Sequence, residues 1–388
     1  MRENCAIEFH SSSGDHQSNE VPCSEREGDA GFSFAMTNSL LKYLLVFVVT
    51  AFLVRAFRNT AIRIDLIDHP GGRKRHEGAI PLIGGPAMLA GFGFGALITL
   101  DSLFAYRALF AALGLLVIVG VLDDLHDLAP AKKFVAQIVA ALFMTSWGMI
   151  SVAHLGDLFG FGPVSLREWN IPFTVICVLG VINAINMTDG VDGLAGGLAW
   201  VGVVFLGVAA VLSGQTGSAR LLFVMAAAVA GFLIFNLRLP WQPRAKVFMG
   251  DSGSMMLGLF LTWFSIEITQ PGEDRLPPIV AVWFLAVPIL DMGLVTIRRL
   301  ASGKNPFRAG RDHLHHFLLL AGYSPTRTVI LMLLLSVVLA LTGFLAWRMK
   351  VPEAVLFYAF MALFAFYYLS SLRAWRTARF MRKLRWGK

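Results

Sequence analysis

The densest group of polar residues in the chain follows the pattern Asn183-x-x-Asn186-x-x-Asp189-Gly-x-Asp192-Gly193. It separates two apolar runs and therefore lies where two candidate membrane helices meet. Carboxylates at membrane depth are costly and usually serve a function. Gly-rich turns let backbone N–H groups approach an anionic ligand closely. A hairpin loop with capping Asp residues is the simpler alternative, but the density of polar residues favours a functional site.

Asp123 and Asp124 form a second cluster at the C-terminal end of an apolar run, shortly before Lys133. Adjacent carboxylates repel one another unless a cation or a proton relieves them. Helix capping does not explain the pair, because carboxylates stabilise the N-terminal end of a helix. The two residues therefore suggest metal binding or general-base catalysis.

Two glycine-containing segments also combine charge with backbone donors. The segment Phe248-Met-Gly-Asp251-Ser-Gly-Ser offers a carboxylate ligand next to backbone N–H groups, although Asp251 could instead cap a helix. In the segment around Lys74 and His76, a following Pro and Gly85 weakly indicate a phosphate-binding loop. Basic residues before a membrane span are also expected from topology alone.

The last cluster contains Arg308, Arg311, His313, His315 and His316. Three histidines within four residues suggest zinc, but no cysteine accompanies them. Because His315 and His316 are adjacent, one helix face cannot present all three. The neighbouring guanidinium groups fit an anionic ligand better.

These clusters predict one kind of chemistry when they are taken together. Hard oxygen ligands suit Mg²⁺, with Mn²⁺ as an alternative, held jointly with substrate phosphates. The basic residues suit a pyrophosphate, and a membrane setting suits a lipid co-substrate. The residues themselves therefore predict metal-assisted phosphoryl transfer at a membrane face.

The elements that must position these residues are membrane helices. Of the 388 residues, 56% are hydrophobic and 15% are charged, whereas soluble chains carry about a quarter charged residues. Apolar blocks of about 20 residues have the length that crosses a bilayer. We predict an all-α polytopic membrane protein with about eleven transmembrane helices. The expected spans are 38–57, 80–100, 103–122, 134–150, 171–188, 194–213, 220–237, 254–270, 278–298, 328–347 and 352–372.

The orientation follows from the basic residues. Most Lys and Arg residues lie in alternate loops and in the C-terminal tail, as the positive-inside rule requires. The net charge of +8 therefore reflects topology and not nucleic-acid binding. This places the N-terminus outside, the C-terminus in the cytoplasm and every polar cluster on the cytoplasmic side. The opposite loops hold only Arg107, Arg167, Arg220, Arg275, Arg348 and Lys350.

Three regions follow from composition. Residues 1–35 are polar and predicted to be a disordered extension, and Met36 is a candidate for the true translation start. Residues 36–372 form the transmembrane domain. Residues 373–388 are basic with interspersed aromatics and are expected to lie on anionic headgroups. The three cysteines form no disulfide framework.

From about residue 38 to the tail, these motifs resemble those of the polyprenyl-phosphate N-acetylhexosamine-1-phosphate transferases. The resemblance implies an eleven-span bundle in the bacterial inner membrane, with the active site facing the cytoplasm. It implies UDP-GlcNAc and undecaprenyl phosphate as substrates, and UMP and undecaprenyl-diphospho-GlcNAc as products, in the first membrane step of O-antigen or other cell-surface polysaccharide synthesis. Another UDP-N-acetylhexosamine donor, including the peptidoglycan phospho-MurNAc-pentapeptide donor, is the alternative. A homodimer is left open.

The resemblance also implies roles for individual residues. Asp251 and Asn186 match metal positions, Asp192 and Phe248 match uracil contacts, and Lys133 matches a phosphate-binding lysine. The residues expected to be catalytic are Asp123, Asp124, Asp189 and His313. The residues expected to bind substrate are Lys74, His76, Lys133, Asp192, Phe248, Arg308, Arg311, His315 and His316.

Within these sets, Asp123 or Asp124 would orient or deprotonate the lipid phosphate. Asp189 would either support a metal ligand or position the diphosphate. The role of Asn236 is open, because its spacing to Asp251 is longer than in the peptidoglycan enzyme.

A transporter is the alternative from another class of protein, because intramembrane carboxylates also mark ion pathways. Glu267 and Asp291 lie within predicted spans and keep this alternative open, although Asp291 could simply pair with Arg298 or Arg299. The crowding of acids at one face and the lack of a recognisable repeat favour the transferase.

Overall fold

The computed structural model describes residues 23–68, 79–270, 275–303, 310 and 312–386, with side chains described between 38 and 372. By internal contacts, Met1–Leu41 and Lys42–Lys388 are separate units. The second unit contains every candidate site residue. Lys74, His76, Arg308 and Arg311 lie outside the described residues, so their expected roles stay predictions.

The described residues are mostly helical. One short antiparallel pair, β1 (Ile67–Asp68) and β2 (Ile80–Pro81), precedes α2. The helices are α1 (Cys23–Arg63), α2 (Gly84–Thr99), α3 (Arg107–His126), α4 (Pro130–Leu142), α5 (Asn170–Thr188), α6 (Leu194–Leu212), α7 (Thr216–Asn236), α8 (Gly250–Glu267), α9 (Pro278–Phe284), α10 (Ala286–Leu300), α11 (Leu314–Leu320), α12 (Pro325–Arg348) and α13 (Glu353–Trp386).

Within these described ranges, seven helices are long and apolar enough to cross a membrane, and α9 with α10 would make an eighth if the pair is one bent span. The prediction of an all-α polytopic membrane protein is therefore confirmed. The number of eleven spans and the orientation of the termini stay predictions. Two predicted spans correspond to shorter helices, since α2 has 16 residues and α4 has 13.

The predicted ninth span, 278–298, is not a single straight helix. The chain breaks at Leu285, and α9 and α10 meet at 85°. Pro288 lies in the first turn of α10, where the missing N–H of proline costs no hydrogen bond within that helix. Hydropathy alone does not reveal such a bend, because both halves are apolar.

Helix α8 is the centre of the bundle. Nearly all of its residues are buried, and it packs against α2, α3, α5 and α6. A side chain at Gly120 of α3 would collide with the backbone of Ser252. The absence of one lets α3 approach the first turn of α8 closely. This contact brings the Asp123-Asp124 pair to Asp251.

Both of the predicted boundaries between regions fall within helices of the structure. Helix α1 begins at Cys23, within the expected extension 1–35, and α13 continues to Trp386, within the expected tail 373–388. The disorder, the alternative start and the headgroup contact of the tail stay predictions.

Candidate active site

The centre of the site is an ammonium group between two carboxylates. Lys133 Nζ of α4 lies 2.9 Å from Asp123 Oδ2 of α3 and 2.9 Å from Asp251 Oδ2 of α8. Burial alone would lower the pKa of Lys133, but the charges and hydrogen bonds of Asp251 and Asp123 outweigh burial and raise it. Asp123 Oδ1 also accepts a hydrogen bond from the backbone N–H of Leu128. These contacts fix Asp123 and hold a permanent positive charge in the site.

Asp124 lies against the beginning of α8. Its Oδ1 accepts a hydrogen bond from the backbone N–H of Asp251 at 3.0 Å, whereas its buried Oδ2 has no hydrogen-bond partner within the described residues. Gly250 has a φ of +71°, and a Cβ there would collide with the Asp124 carboxylate. Glycine is therefore required by both its backbone conformation and this contact. A buried carboxylate oxygen without a donor is a natural ligand for a cation.

Asn186, at the end of α5, faces the same carboxylate of α8. Its Nδ2 donates to Asp251 Oδ1 and to Ser254 Oγ, both at 2.9 Å. The amide nitrogen, rather than the oxygen, thus meets Asp251. For Asn186 and Asp251 to bind one metal ion, the amide would have to turn by half a rotation, because only its oxygen is a ligand. One turn earlier, Asn183 Nδ2 donates to Gln137 Oε1 at 3.0 Å and ties α5 to α4.

Asp189 immediately follows α5 and is exposed at the surface. The surrounding protein still partly desolvates its carboxyl, and the charges of Asp251, Asp124 and Asp192 act in the same direction, so its pKa is raised. A cation bound near these carboxylates would relieve the repulsion. Asp189 therefore lies near the acidic centre, and its catalytic role stays a prediction.

Asp192 forms an ion pair that the sequence did not indicate. Its Oδ2 accepts from Arg238 Nε at 2.8 Å and from the backbone N–H of Ala245 at 3.2 Å. The predicted uracil contact would use the remaining face of this carboxylate. No local pattern in the sequence distinguishes Arg238 from the other basic loop residues.

Asn236, whose role the sequence left open, connects two motifs. Its Oδ1 accepts from the backbone N–H of Gly193, and its Nδ2 donates to the carbonyl of Val247, both at 2.9 Å. With a 3% exposed side chain, Asn236 is an internal bridge between the 189–193 loop and the segment leading into α8. The long spacing to Asp251 does not prevent this contact.

Phe248 is fixed through its backbone. Its N–H donates to the carbonyl of Pro81, and its carbonyl accepts from Gly84. The residues before α2 and before α8 are thus joined, which presents the Phe248 side chain at the same end of the bundle as Asp251. Its expected stacking on uracil stays a prediction.

The three histidines are at the beginning of α11. His313 Nδ1 lies 3.0 Å from Asp291 Oδ2, and His313 and His315 have parallel rings with centroids 5.8 Å apart. The fully buried His315 has no hydrogen-bond partner at either nitrogen within the described residues. Its ring packs on Gly190, because a Cβ there would collide with Nε2. The ring of His316 lies beside that of His315, at a centroid distance of 4.1 Å.

Arg298 and Arg299, the expected partners of Asp291, instead contact the Asp312 carboxylate at 2.9 and 3.5 Å. The histidine cluster thus reaches the 189–193 loop through Gly190, and it is anchored to α10 through Asp291.

Within the described ranges, no three His, Cys, Asp or Glu side chains converge as a complete metal site. The donor types still fit a hard cation, since the Asp251 carboxylate contacts the amide of Asn186, and the backbone N–H of Asp251 contacts Asp124. Mg²⁺ is typically bound by one or two carboxylates together with substrate phosphates. The two carboxylates of Asp124 and Asp251 are compatible with such a site, and metal binding stays a prediction.

The fold and the site define a polytopic helical membrane protein with an acidic, lysine-bridged centre suited to phosphoryl chemistry. The profile of glycosyl transferase family 4 matches residues 106–269, which contain the acidic centre. Three relatives bear the name undecaprenyl-phosphate alpha-N-acetylglucosaminyl 1-phosphate transferase. The Yersinia pestis protein is 37% identical over 89% of this chain and 94% of its own. The proteins of Escherichia coli K12 and Haemophilus influenzae are each 35% identical, over 88% and 89% of this chain and 93% and 98% of their own.

The chain therefore belongs to glycosyl transferase family 4, and the resemblance to the polyprenyl-phosphate N-acetylhexosamine-1-phosphate transferases is confirmed.

Proposed function

We propose that the protein transfers GlcNAc-1-phosphate from UDP-GlcNAc to undecaprenyl phosphate and releases UMP, as the first membrane step of O-antigen or other cell-surface polysaccharide synthesis. The similarity to relatives named for this transfer extends over about nine-tenths of the chain. The observation in the structure that supports the proposal best is the Lys133 ammonium held between Asp123 and Asp251. It is the charge that a diphosphate needs, placed among carboxylates that suit a divalent cation.

In the proposed reaction an oxygen of the lipid phosphate attacks the phosphorus bonded to the sugar. The bond from this phosphorus to the bridging oxygen breaks, and UMP leaves with that oxygen. Lys133, together with Arg311, neutralises the phosphates. Asp123 or Asp124 orients the lipid phosphate. Because the second pKa of a phosphate is near neutrality, proton removal contributes little, and positioning supplies most of the rate enhancement.

Asp251, Asp124 and, after rotation of its amide, Asn186 are the residues that would hold Mg²⁺ or Mn²⁺. When bound, the ion would neutralise the negative charge that develops on the diphosphate. The protein side chains would then set the direction of attack. Asp192 and Phe248 would hold the uridine end of the donor at the far side of the 189–193 loop.

The proposed setting is the bacterial inner membrane, with eleven spans, the N-terminus outside and the site facing the cytoplasm. The distribution of Lys and Arg between alternate loops supports this orientation. Helix α8, buried at the centre of the bundle, is a further candidate span although its first turn is polar. A homodimer is compatible with this arrangement.

Two carboxylates, Glu267 and Asp291, were the reason to consider a transporter as the alternative. Both accept hydrogen bonds inside the protein. Glu267 accepts from Ser218 Oγ at 3.0 Å and from Trp263 Nε1 at 3.1 Å, and Asp291 contacts His313. Internal hydrogen bonds of this kind explain their presence without an ion pathway.

The proposal is tested with purified protein, radiolabelled UDP-GlcNAc, undecaprenyl phosphate and Mg²⁺. We expect a labelled lipid product with UDP-GlcNAc and much less with UDP-GalNAc or UDP-MurNAc-pentapeptide. No lipid-linked product from any of the three donors would refute the transfer reaction. Incubation without lipid acceptor separates two routes, since label retained covalently on the protein would indicate an aspartyl-phosphate intermediate instead of direct displacement.

A further inference from the structure

Asp291 is a buried carboxylate whose two oxygens are both engaged. It lies in α10 and is 1% exposed. Its Oδ2 is 3.0 Å from His313 Nδ1, and its Oδ1 accepts from the backbone N–H of Leu314 at 2.8 Å and from Tyr367 Oη at 3.1 Å. One side chain thus joins α10, the beginning of α11 and α13.

The contact with His313 determines which ring nitrogen carries the proton. A carboxylate accepts hydrogen bonds, so Nδ1 of His313 is the protonated nitrogen, and Nε2 is the atom left for another partner. The hydrogen bond from Leu314 fixes the backbone at the same point. Asp291 therefore sets both the tautomer and the direction of the His313 ring.

The position of α11 also affects the acidic loop. His315, two residues after His313, packs on Gly190 between Asp189 and Asp192. Because interiors are closely packed, a shift of α11 would change the space available to this loop. Asp291 is thus connected to the candidate site by two contacts, its own with His313 and that of His315 with Gly190.

We propose that Asp291 is a positioning residue for the transfer reaction, which holds His313 in its Nδ1-protonated tautomer and holds α11 against the 189–193 loop, with Tyr367 as its second support. The inference rests on the proposed function for its kinetic consequence. The claim that Asp291 holds His313 and α11 in place does not depend on that function.

The first experiment compares Asp291→Asn and Tyr367→Phe with Tyr368→Phe, a matched control on the same helix. The Asp291→Asn substitution preserves the shape of the side chain, but an amide has only one accepting oxygen, so either Nδ1 of His313 or the N–H of Leu314 loses its acceptor. We expect Asp291→Asn to lower kcat about 100-fold, the loss typical of a misplaced group, with the KM for UDP-GlcNAc changed by less than about threefold. Tyr367→Phe should cause a smaller loss, and Tyr368→Phe none.

A double-mutant cycle tests whether Asp291 acts through His313. If it does, Asp291→Asn combined with His313→Gln should be no slower than His313→Gln alone. Losses that multiply, or a well-folded Asp291→Asn protein with wild-type kcat, would overturn the proposal.

Hydrogen exchange of the full chain in detergent gives a readout that needs no activity. We expect Asp291→Asn to increase exchange in peptides covering 313–320 and 189–193, and Tyr368→Phe to leave both unchanged. Unchanged exchange in Asp291→Asn would overturn the claim that Asp291 holds His313 and α11 in place. If the wild-type protein forms no lipid product, the proposed function fails, and this comparison still decides the role of Asp291.

Discussion

Lys133 and Asp251 are 118 positions apart in the sequence, yet Lys133 Nζ lies 2.9 Å from Asp251 Oδ2. The same ammonium is equally close to Asp123 Oδ2. Helices α3, α4 and α8 therefore meet at one positive charge between two negative ones. A lysine in this position offsets the repulsion between the two carboxylates before substrates arrive. If Asp251 binds a metal ion, as we propose, the ammonium would be available to a phosphate.

Replacing Lys133 tests this arrangement directly. In Lys133→Ala, Asp123 and Asp251 lose their shared counter-charge, and the donor diphosphate loses a cation. We expect product formation at saturating substrates to fall about 100-fold or more, the range seen when one preorganised electrostatic group is removed. Lys132→Ala is the matched control, because Lys132 is the exposed neighbour on the same helix. Activity of Lys133→Ala within about threefold of wild type would contradict the proposed role.

The metal requirement gives a second prediction. We expect EDTA to abolish product formation and Mg²⁺ or Mn²⁺ to restore it. In Asp251→Asn the site loses a negative charge, so the Mg²⁺ concentration for half-maximal activity should rise about tenfold or more. Asp127→Asn is the control, since Asp127 is an exposed carboxylate at the end of α3. An unchanged Mg²⁺ dependence in Asp251→Asn would exclude this residue as a ligand.

Asn236 provides a prediction about stability. In Asn236→Ala the backbone N–H of Gly193 and the carbonyl of Val247 lose their partner inside the protein. Each buried polar group without a partner costs about 1–3 kcal/mol, so the variant should be clearly less thermostable and bind UDP-GlcNAc more weakly. In Asn236→Asp one oxygen can still accept from Gly193, but the second oxygen faces the carbonyl of Val247 and a charge is buried, so we expect a loss of thermal stability at least as large as in Asn236→Ala. An Asn236→Ala protein as thermostable as the wild type would show that these two hydrogen bonds do not contribute to stability.

The sequence predicts the class of fold well because a bilayer imposes a length and a composition on each helix. It also selects Asp123, Asp124, Asn186 and Asp251, which the structure brings together, because such polar side chains at membrane depth are costly. The sequence does not show that Lys133 bridges two of them, because contacts between distant helices leave no local pattern.

Three features needed the structure for a similar reason. Arg238 and Asp192 are an ion pair between separate segments. The sequence allowed Asp291 either a place in an ion pathway or a pairing with nearby arginines, whereas in the structure it contacts His313. The bend at Leu285 depends on how α9 and α10 pack, which hydropathy does not record.

His315 gives a prediction about pH. Burial, together with the neighbouring His316, lowers its pKa to about 3, so the ring is neutral in the folded protein. In the unfolded chain a histidine has a pKa of about 6.5. Above that pH both states are neutral, and the group has no effect on the pH dependence. As the pH falls from about 6.5 towards 3, the unfolded state binds a proton that the folded state does not. Stability should therefore decrease by up to about 1.4 kcal/mol per pH unit from this group.

The measurement is the midpoint of thermal unfolding in detergent between pH 5 and pH 8. We expect the midpoint temperature to decrease as the pH is lowered below 6.5. In His315→Phe this decrease should be smaller, because phenylalanine keeps the packing on Gly190 without a titrating group. His154→Gln is the control, since His154 is exposed and its removal should leave the pH dependence unchanged. If His315→Phe and the wild type lose stability equally in acid, His315 is not the group that causes the loss.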